Sequence, residues 1–247
     1  MTGRAAEILR FASAFAGLAA LLLAATALAA GDTDRQTSSY TLSEKRPNAG
    51  TSEHFVFDYQ NPDDPEAKPP AVRRVVTILP RGARYDTSAP EQCTASDAEL
   101  TAQGGAACPA GSAIGGGVIT VDTGAAGDAR YVTADVEFFN NTDEFIFVNT
   151  IRGSGARTII RTAVERDRTI TNADMLPGTP PDGGAIDTVD IHVDNVASGG
   201  RNYITNPPVC RGRKGDRHWT TRVAFTYADG VTQTVPTHTP CRGRTKR

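Results

Sequence analysis

The sequence predicts an all-β fold: a β-sandwich of the jelly-roll type with one short helix stapled by a disulfide. Three observations lead to it. Short segments of strand character recur, no helices alternate with them in the βαβ manner, and four cysteines fall into two local pairs. The strand-like segments are residues 53–59, 72–79, 117–121, 131–139, 144–151, 157–165, 186–196, 220–227 and 231–235.

The first 30 residues have the pattern of a secretory signal peptide. Arg4 and Arg10 precede an apolar run at residues 11–30, which contains an A-x-A sequence at 27–29. An uncleaved membrane anchor is the alternative, because about 20 apolar residues can span a bilayer. We therefore expect a secreted or extracytoplasmic protein that contacts a membrane only if this segment is retained.

The rest of the chain divides into three parts by composition. Residues 31–52 are polar and lack apolar periodicity, which predicts a flexible linker. Residues 53–241 form the predicted β-sandwich domain, and residues 242–247 form a basic tail. A formal net charge of −2 gives no general attraction to nucleic acid.

The four cysteines indicate a disulfide framework. Cys93, Cys108, Cys210 and Cys241 allow three pairings. We favour Cys93–Cys108 and Cys210–Cys241, because each pair encloses a local loop. Zinc binding is the alternative, but the sequence lacks the closely spaced C-x-x-C pairs that are typical of zinc sites.

A short helix is predicted inside the first of these loops. Ser96 and Glu99 have the spacing of a capping box, and Gly104-Gly105 is a helix-stopping signal. A helix of two turns is unstable alone in water, so we expect the disulfide to stabilise it. Two turns are also predicted, at Asn140-Asn141 and at Asp229-Gly230, the second being a strong hairpin signal.

The candidates for chemistry begin with three residues that alternate along one strand. Asp190, His192 and Asp194 share a face, with neighbours about 6.5–7 Å apart. Two carboxylates so placed resemble the arrangement in some jelly-roll glycosidases, although those typically use glutamates. A divalent cation site is a second interpretation, and a solvated outer face is the simplest one. Asp135 and Glu137 form another acidic pair of the same kind.

Two features near the C-terminus are candidates for binding. Trp219, the only tryptophan, either stacks on a sugar ring or packs in the core against the Cys210–Cys241 bridge. A basic cluster surrounds it, suited to anionic wall polymers or lipid headgroups, or simply solvated. Its members are Arg211, Arg213, Lys214, Arg217, Arg222, Arg242, Arg244, Lys246 and Arg247.

Two blocks of the sequence carry a resemblance to a family. The first comprises residues 79–82 (LPRG), Pro90, Cys93 and residues 108–115 (CPAGSAIG). The second comprises residues 207–210 (PPVC), Trp219, residues 225–230 (FTYADG) and residues 240–241 (PC). Over residues 79–241 the chain resembles secreted β-rich proteins of high-GC Gram-positive bacteria with paired-cysteine blocks. The resemblance supports the disulfide pairing above and implies no catalytic residues.

The sequence thus leads to one functional hypothesis and one alternative. The hypothesis is an exported, non-catalytic β-sandwich protein of the cell envelope or secretome that binds surface glycans or wall polymers. The alternative is a carbohydrate-active or divalent-metal-dependent hydrolase with Asp190 and Asp194 as catalytic candidates. We expect no cofactor, because neither a phosphate-binding loop nor a dinucleotide fingerprint is found in the sequence. We expect no nucleic acid partner, because the net charge is −2.

Overall fold

The structure is a computed structural model that describes residues 35–243 apart from 62, 63, 65, 174, 175, 212 and 214–216. The predicted signal peptide at residues 1–30 and the end of the basic tail, from residue 244 onward, lie outside the described residues. Within the described part, no helix is both long and apolar enough to cross a membrane.

The secondary structure consists almost entirely of strands. In chain order they are β1 Gln36–Leu42, β2 Glu53–Tyr59, β3 Val72–Ile78, β4 Arg84–Tyr85, β5 Ala113–Asp122, β6 Tyr131–Asn141, β7 Glu144–Ile151, β8 Arg157–Glu165, β9 Arg168–Asn172, β10 Ala185–Val193, β11 Ala197–Ser198, β12 Arg201–Asn202, β13 Ile204–Thr205, β14 His218–Tyr227 and β15 Thr232–Pro240. One α-helix, α1 Asp97–Gln103, and three 3₁₀ turns at Gly104–Ala107, Ala110–Ser112 and Gly127–Ala129 complete the elements.

Eleven of these strands form one antiparallel sheet that curls nearly into a barrel. Their order is β1-β2-β10-β5-β6-β7-β8-β9-β3-β14-β15. The outermost strands meet through side chains: the Thr237 hydroxyl donates to the Tyr40 carbonyl at 3.2 Å, and the Leu42 amide donates to the Thr239 hydroxyl at 3.2 Å. Threonines of β15 therefore satisfy edge groups of β1 that would otherwise lack partners.

The core lies inside this curled sheet, where inward-facing aromatic residues meet. The Phe57 and Phe225 rings pack edge to face with centroids 5.7 Å apart, and the Tyr59 and Tyr227 rings stack at 5.3 Å. These pairs join β2 to β14 across the interior of the sheet. The prediction of an all-β fold with one short stapled helix is confirmed.

The linker predicted at residues 31–52 is wrong for its described part. Gln36–Leu42 is strand β1, paired with β2 along its whole length, and Tyr40 and Leu42 are buried. The signal was weak because only these two inward residues are apolar while the remainder are Gln, Thr and Ser. Backbone pairing with β2 and burial of two apolar side chains stabilise the strand although the segment contains few apolar residues.

The stapled helix has the predicted construction. Ser96 caps α1 and accepts from the Glu99 amide, while the Glu99 carboxylate accepts from the Ser96 amide at 2.8 Å. Leu100 is fully buried in a small cluster with Cys93 and residues of β6 and β7. The predicted pairings Cys93–Cys108 and Cys210–Cys241 are both confirmed.

Several strand boundaries differ from the sequence-based prediction, and two of these differences have a clear physical reason. β5 begins at Ala113 and not at residue 117, so the three glycines at 115–117 all lie within the strand. The β6–β7 turn falls at Thr142-Asp143, where Asp143 has a φ of 53°, and not at Asn140-Asn141. Asn140 is instead buried, with its side-chain amide donating to the carbonyls of Thr87 and Glu91. A buried amide with two acceptors stabilises the strand conformation over a turn.

Removal of each disulfide should destabilise the fold. We expect Cys93→Ser/Cys108→Ser to lower the free energy of unfolding by about 3 kcal/mol and Cys210→Ser/Cys241→Ser by about 4 kcal/mol, because the second bridge closes the longer loop. The sequence separations are 15 and 31 residues. Urea unfolding of the two double variants measures both values. Equal stability of both variants and the unaltered protein would contradict this expectation.

Candidate functional site

The acidic candidates of β10 lie on the outer face of the sheet. Asp190 and His192 point away from the core, with side chains 69% and 53% exposed. His54 of β2 stands opposite His192 in the strand register, and its Nε2 lies 2.7 Å from Asp190 Oδ1. Asp194, just beyond the strand, has an oxygen 3.9 Å from His192 Nε2. Alternation correctly placed these residues on one face, but His54 was not part of the prediction.

The second acidic pair is on β6, separated from β10 by β5. Val118 of β5 is in register with both Asp190 and Asp135, so the two acidic rows are two strand spacings apart, about 9.6 Å. Arg152 donates to Asp135 at 2.6 Å and lowers the pKa of that carboxyl. Among the described residues, no group of three His, Cys, Asp or Glu side chains converges to hold a metal ion. Catalysis by Asp190 and Asp194 and binding by Glu137 and His192 stay predictions.

A separate, cationic cleft lies where β14 begins. Its volume is about 470 Å³. Three segments form it: the turn after β3, the segment that contains Cys210, and the outward-facing residues of β14. We name it the arginine cleft, lined by Pro80, Arg81, Gly82, Pro208, Val209, Arg211, His218, Trp219, Thr220 and Arg222.

The walls of the arginine cleft are rigidly joined. Gly82, with a φ of 90°, lies against Pro208, since a Cβ at this position would be 2.7 Å from the Pro208 Cδ. Cys210 is bound to Cys241, and the Cys241 amide donates to the Arg217 carbonyl at 3.0 Å. Such bracing holds the cleft open without a ligand, which lowers the entropic cost of binding.

Trp219 forms the base of the cleft rather than a free stacking surface. It is 4% exposed and packs in the same core cluster as Cys210 and Cys241. Its indole N–H donates to the Val209 carbonyl at 3.0 Å, which fixes the segment carrying Arg211. The structure thus places the tryptophan where it positions other lining residues.

The charge of the cleft has one sign. Arg81, Arg211 and Arg222 are exposed, and within the described part none of them forms an ion pair or a side-chain hydrogen bond. No carboxylate is among the described lining residues. Three unpaired guanidinium groups around one cleft suit phosphate or carboxylate oxygens, which Arg binds in a bidentate manner.

A pair of histidines extends this surface from His218, which lines the cleft, to His238, which does not. The rings of His218 and His238 meet edge to face with centroids 4.4 Å apart, and His238 Nδ1 lies 3.1 Å from the Thr220 hydroxyl. Both imidazoles are exposed on adjacent strands. Of the basic cluster named from the sequence, Lys214, Arg244, Lys246 and Arg247 lie outside the described residues.

Sequence reasoning missed a buried carboxyl in the interior. Glu53 is 8% exposed, and its Oε2 accepts hydrogen bonds from the hydroxyls of Tyr40 and Tyr85. Burial raises the pKa of Glu53 to about 7, although the two tyrosine hydrogen bonds act in the opposite direction. A signal did exist, because the alternation that turns Phe55 and Phe57 inward also turns Glu53 inward.

A further carboxyl was missed at a β-bulge. Asp187 interrupts the register between β10 and β5 and lines a cleft of about 380 Å³ with Asp58 and Asp122. Burial and the charges of those two neighbours raise the pKa of Asp187. Asp122 is held by Arg130, whose Nη2 lies 3.0 Å from the Asp122 Oδ2.

Comparison with known proteins found no match for the chain among protein-family models, curated proteins or solved structures.

Proposed function

We propose that this is an exported, non-catalytic protein of the cell envelope or secretome that binds an anionic surface polymer in the arginine cleft. Two features of the chain support export. The first 30 residues have the pattern of a signal peptide, and two disulfides suit an oxidising compartment outside the cytoplasm. The observation that carries the binding function is the set of three unpaired arginines around one open cleft.

The cleft also suits a polymer in its shape and its apolar wall. The cleft is open to solvent, so an internal segment of a long polymer can bind there while both ends of the polymer extend beyond it. Val209 is 48% exposed and lies beside the exposed Pro208, which offers apolar contact for a sugar ring or an alkyl segment between charged groups. Arginines would bind the repeating phosphate or carboxylate groups, and the apolar wall would contact the links between them.

Charge reversal in the cleft tests this proposal. We expect Arg81→Glu/Arg211→Glu/Arg222→Glu to weaken binding of poly(glycerol phosphate) at least about tenfold, since three charge-assisted contacts become repulsive. Binding to the unaltered protein should weaken as salt rises, because the arginines are exposed. Polygalacturonate and dextran serve as the carboxylate and the neutral arm of the same titration.

The matched control reverses three arginines that do not line the cleft. Arg74, Arg84 and Arg166 are exposed and unpaired in the described part, so their reversal changes net charge by the same amount. If this control weakens binding as much as the cleft variant, attraction is general and the proposal fails. It also fails if neither anionic polymer binds, or if dextran binds as tightly as both. Preference for anionic lipid vesicles over both polymers would replace the polymer with a membrane surface.

A further inference from the structure

A cavity of about 100 Å³ lies inside the curled sheet, beside Glu53. Strands from opposite walls form it, and its lining is mainly aromatic and aliphatic. The lining residues are Tyr40, Glu53, Phe55, Phe57, Val75, Thr77, Phe138, Phe145, Phe147, Thr169, Thr171, Val189, Ile191, His192 and Val193. Because an apolar cavity of about 150 Å³ accommodates benzene, this one has room for a molecule of roughly four or five heavy atoms.

Glu53 is the only carboxyl among the described lining residues, and it has no counter-ion. Both tyrosine hydroxyls donate to Oε2, whereas Oε1 has no hydrogen-bond partner in the described part. No ion pair of the described residues includes Glu53. A buried carboxylate without a cation is strongly destabilising, so the charged form requires a positive group from elsewhere.

The surroundings of Oε1 would accept such a group. Phe55 and Phe57 line the cavity next to Glu53 along β2, and aromatic faces attract ammonium ions. Thr169 and Thr171 of β9 also line it and offer hydroxyl acceptors to an N–H donor. Apart from Tyr40, Thr77 and His192, the rest of the lining is apolar, which favours a hydrocarbon body of small size.

We propose that the interior of the barrel-shaped sheet binds a small aliphatic amine, with its ammonium group against Glu53 Oε1 and its hydrocarbon body among the phenylalanines. This site is separate from the arginine cleft and has the opposite charge preference. It does not depend on the proposed polymer binding, and loss of one activity leaves the other unaffected.

Isobutylamine and isobutanol are the probes, since they have the same size and differ in the charged group. At pH 8 the amine is protonated and Glu53 is ionised. We expect isobutylammonium to bind at least about tenfold more tightly than isobutanol in equilibrium titrations followed by NMR of the aromatic side chains. Equal affinity for both would show a plain apolar cavity and overturn the proposal, as would absence of binding by both.

Two variants locate the bound amine. Glu53→Gln should weaken isobutylammonium binding at least about tenfold and leave isobutanol binding nearly unchanged. Glu91→Gln removes an exposed carboxyl between β4 and α1 that does not line the cavity, and it should leave both affinities unchanged. Retained amine affinity in Glu53→Gln would place the amine elsewhere and contradict the assignment. If Glu53→Gln does not fold, the comparison of the two probes on the unaltered protein decides the proposal.

Discussion

We expect Gly117→Ala to destabilise the protein by about 3 kcal/mol or more, because the added methyl group has no space between the strands. β5 lies between β10 and β6 in the sheet. A Cβ at Gly117 would be 2.1 Å from the Asp190 carbonyl oxygen and 2.6 Å from the Ile191 Cα. Both are backbone atoms of β10, so a side-chain rotation cannot relieve the overlap. The strands must separate, and ladder hydrogen bonds would be lost.

Urea unfolding of Gly117→Ala against Gly153→Ala isolates this effect. Gly153 also has a positive φ, 85°, but nothing lies within 4 Å of a Cβ at that position. Its substitution should therefore cost only the backbone strain, about 1 kcal/mol. If the two variants are equally stable, the close approach of β5 to β10 does not restrict the position. The neighbouring Gly116 approaches the other side, where its Cβ would be 2.4 Å from the Val136 carbonyl oxygen.

Features set by neighbouring residues were predictable from the sequence. The capping box of Ser96 and Glu99 depends on groups three residues apart, and it forms as predicted. The β14–β15 hairpin turns at Asp229-Gly230, where Gly230 adopts a φ of 83°. In both cases the side chain or the glycine satisfies a local backbone requirement that does not depend on the remainder of the fold.

Features made by distant residues were not predictable in this way. The arginine cleft combines Arg211 and Arg222, which the sequence singled out, with Arg81, which it did not. The pairing of β4 with β13 and the contact of Gly82 with Pro208 bring Arg81 near the segment of Arg211, and the pairing of Arg222 with Ile78 joins β14 to the end of β3. Likewise, β1 has too few apolar residues to be recognised alone, and its pairing with β2 and its contacts with β15 define it. Long-range pairing of this kind requires knowledge of the strand order.

The stability of the protein should fall as the pH rises from about 4.5 to about 7, because Glu53 holds its proton in the folded state. Its pKa rises from 4.5 to about 7, with burial as the cause. The unfolded chain releases this proton near pH 4.5, whereas the folded protein retains it up to about pH 7. The folded state therefore binds more protons than the unfolded chain across this interval. The contribution of the Glu53 proton to stability is complete below pH 4.5 and is lost by pH 7.

Glu53→Gln removes this titration and provides the measurement. The variant should match the unaltered protein at pH 4 and be more stable at pH 8 by about 3 kcal/mol, the equivalent of a pKa rise of this size. Tyr40 and Tyr85 face Glu53, and Tyr203 lies next to Tyr85; burial raises the pKa of all three hydroxyls, so they stay protonated over the range. Urea unfolding at intervals of half a pH unit gives the difference, with Glu137→Gln as the exposed control. If the difference in free energy of unfolding between Glu53→Gln and the unaltered protein does not change with pH, the Glu53 carboxyl is ionised in the folded protein over this interval. Only a carboxyl that retains its proton in the folded state lets the glutamine variant gain stability as the pH rises.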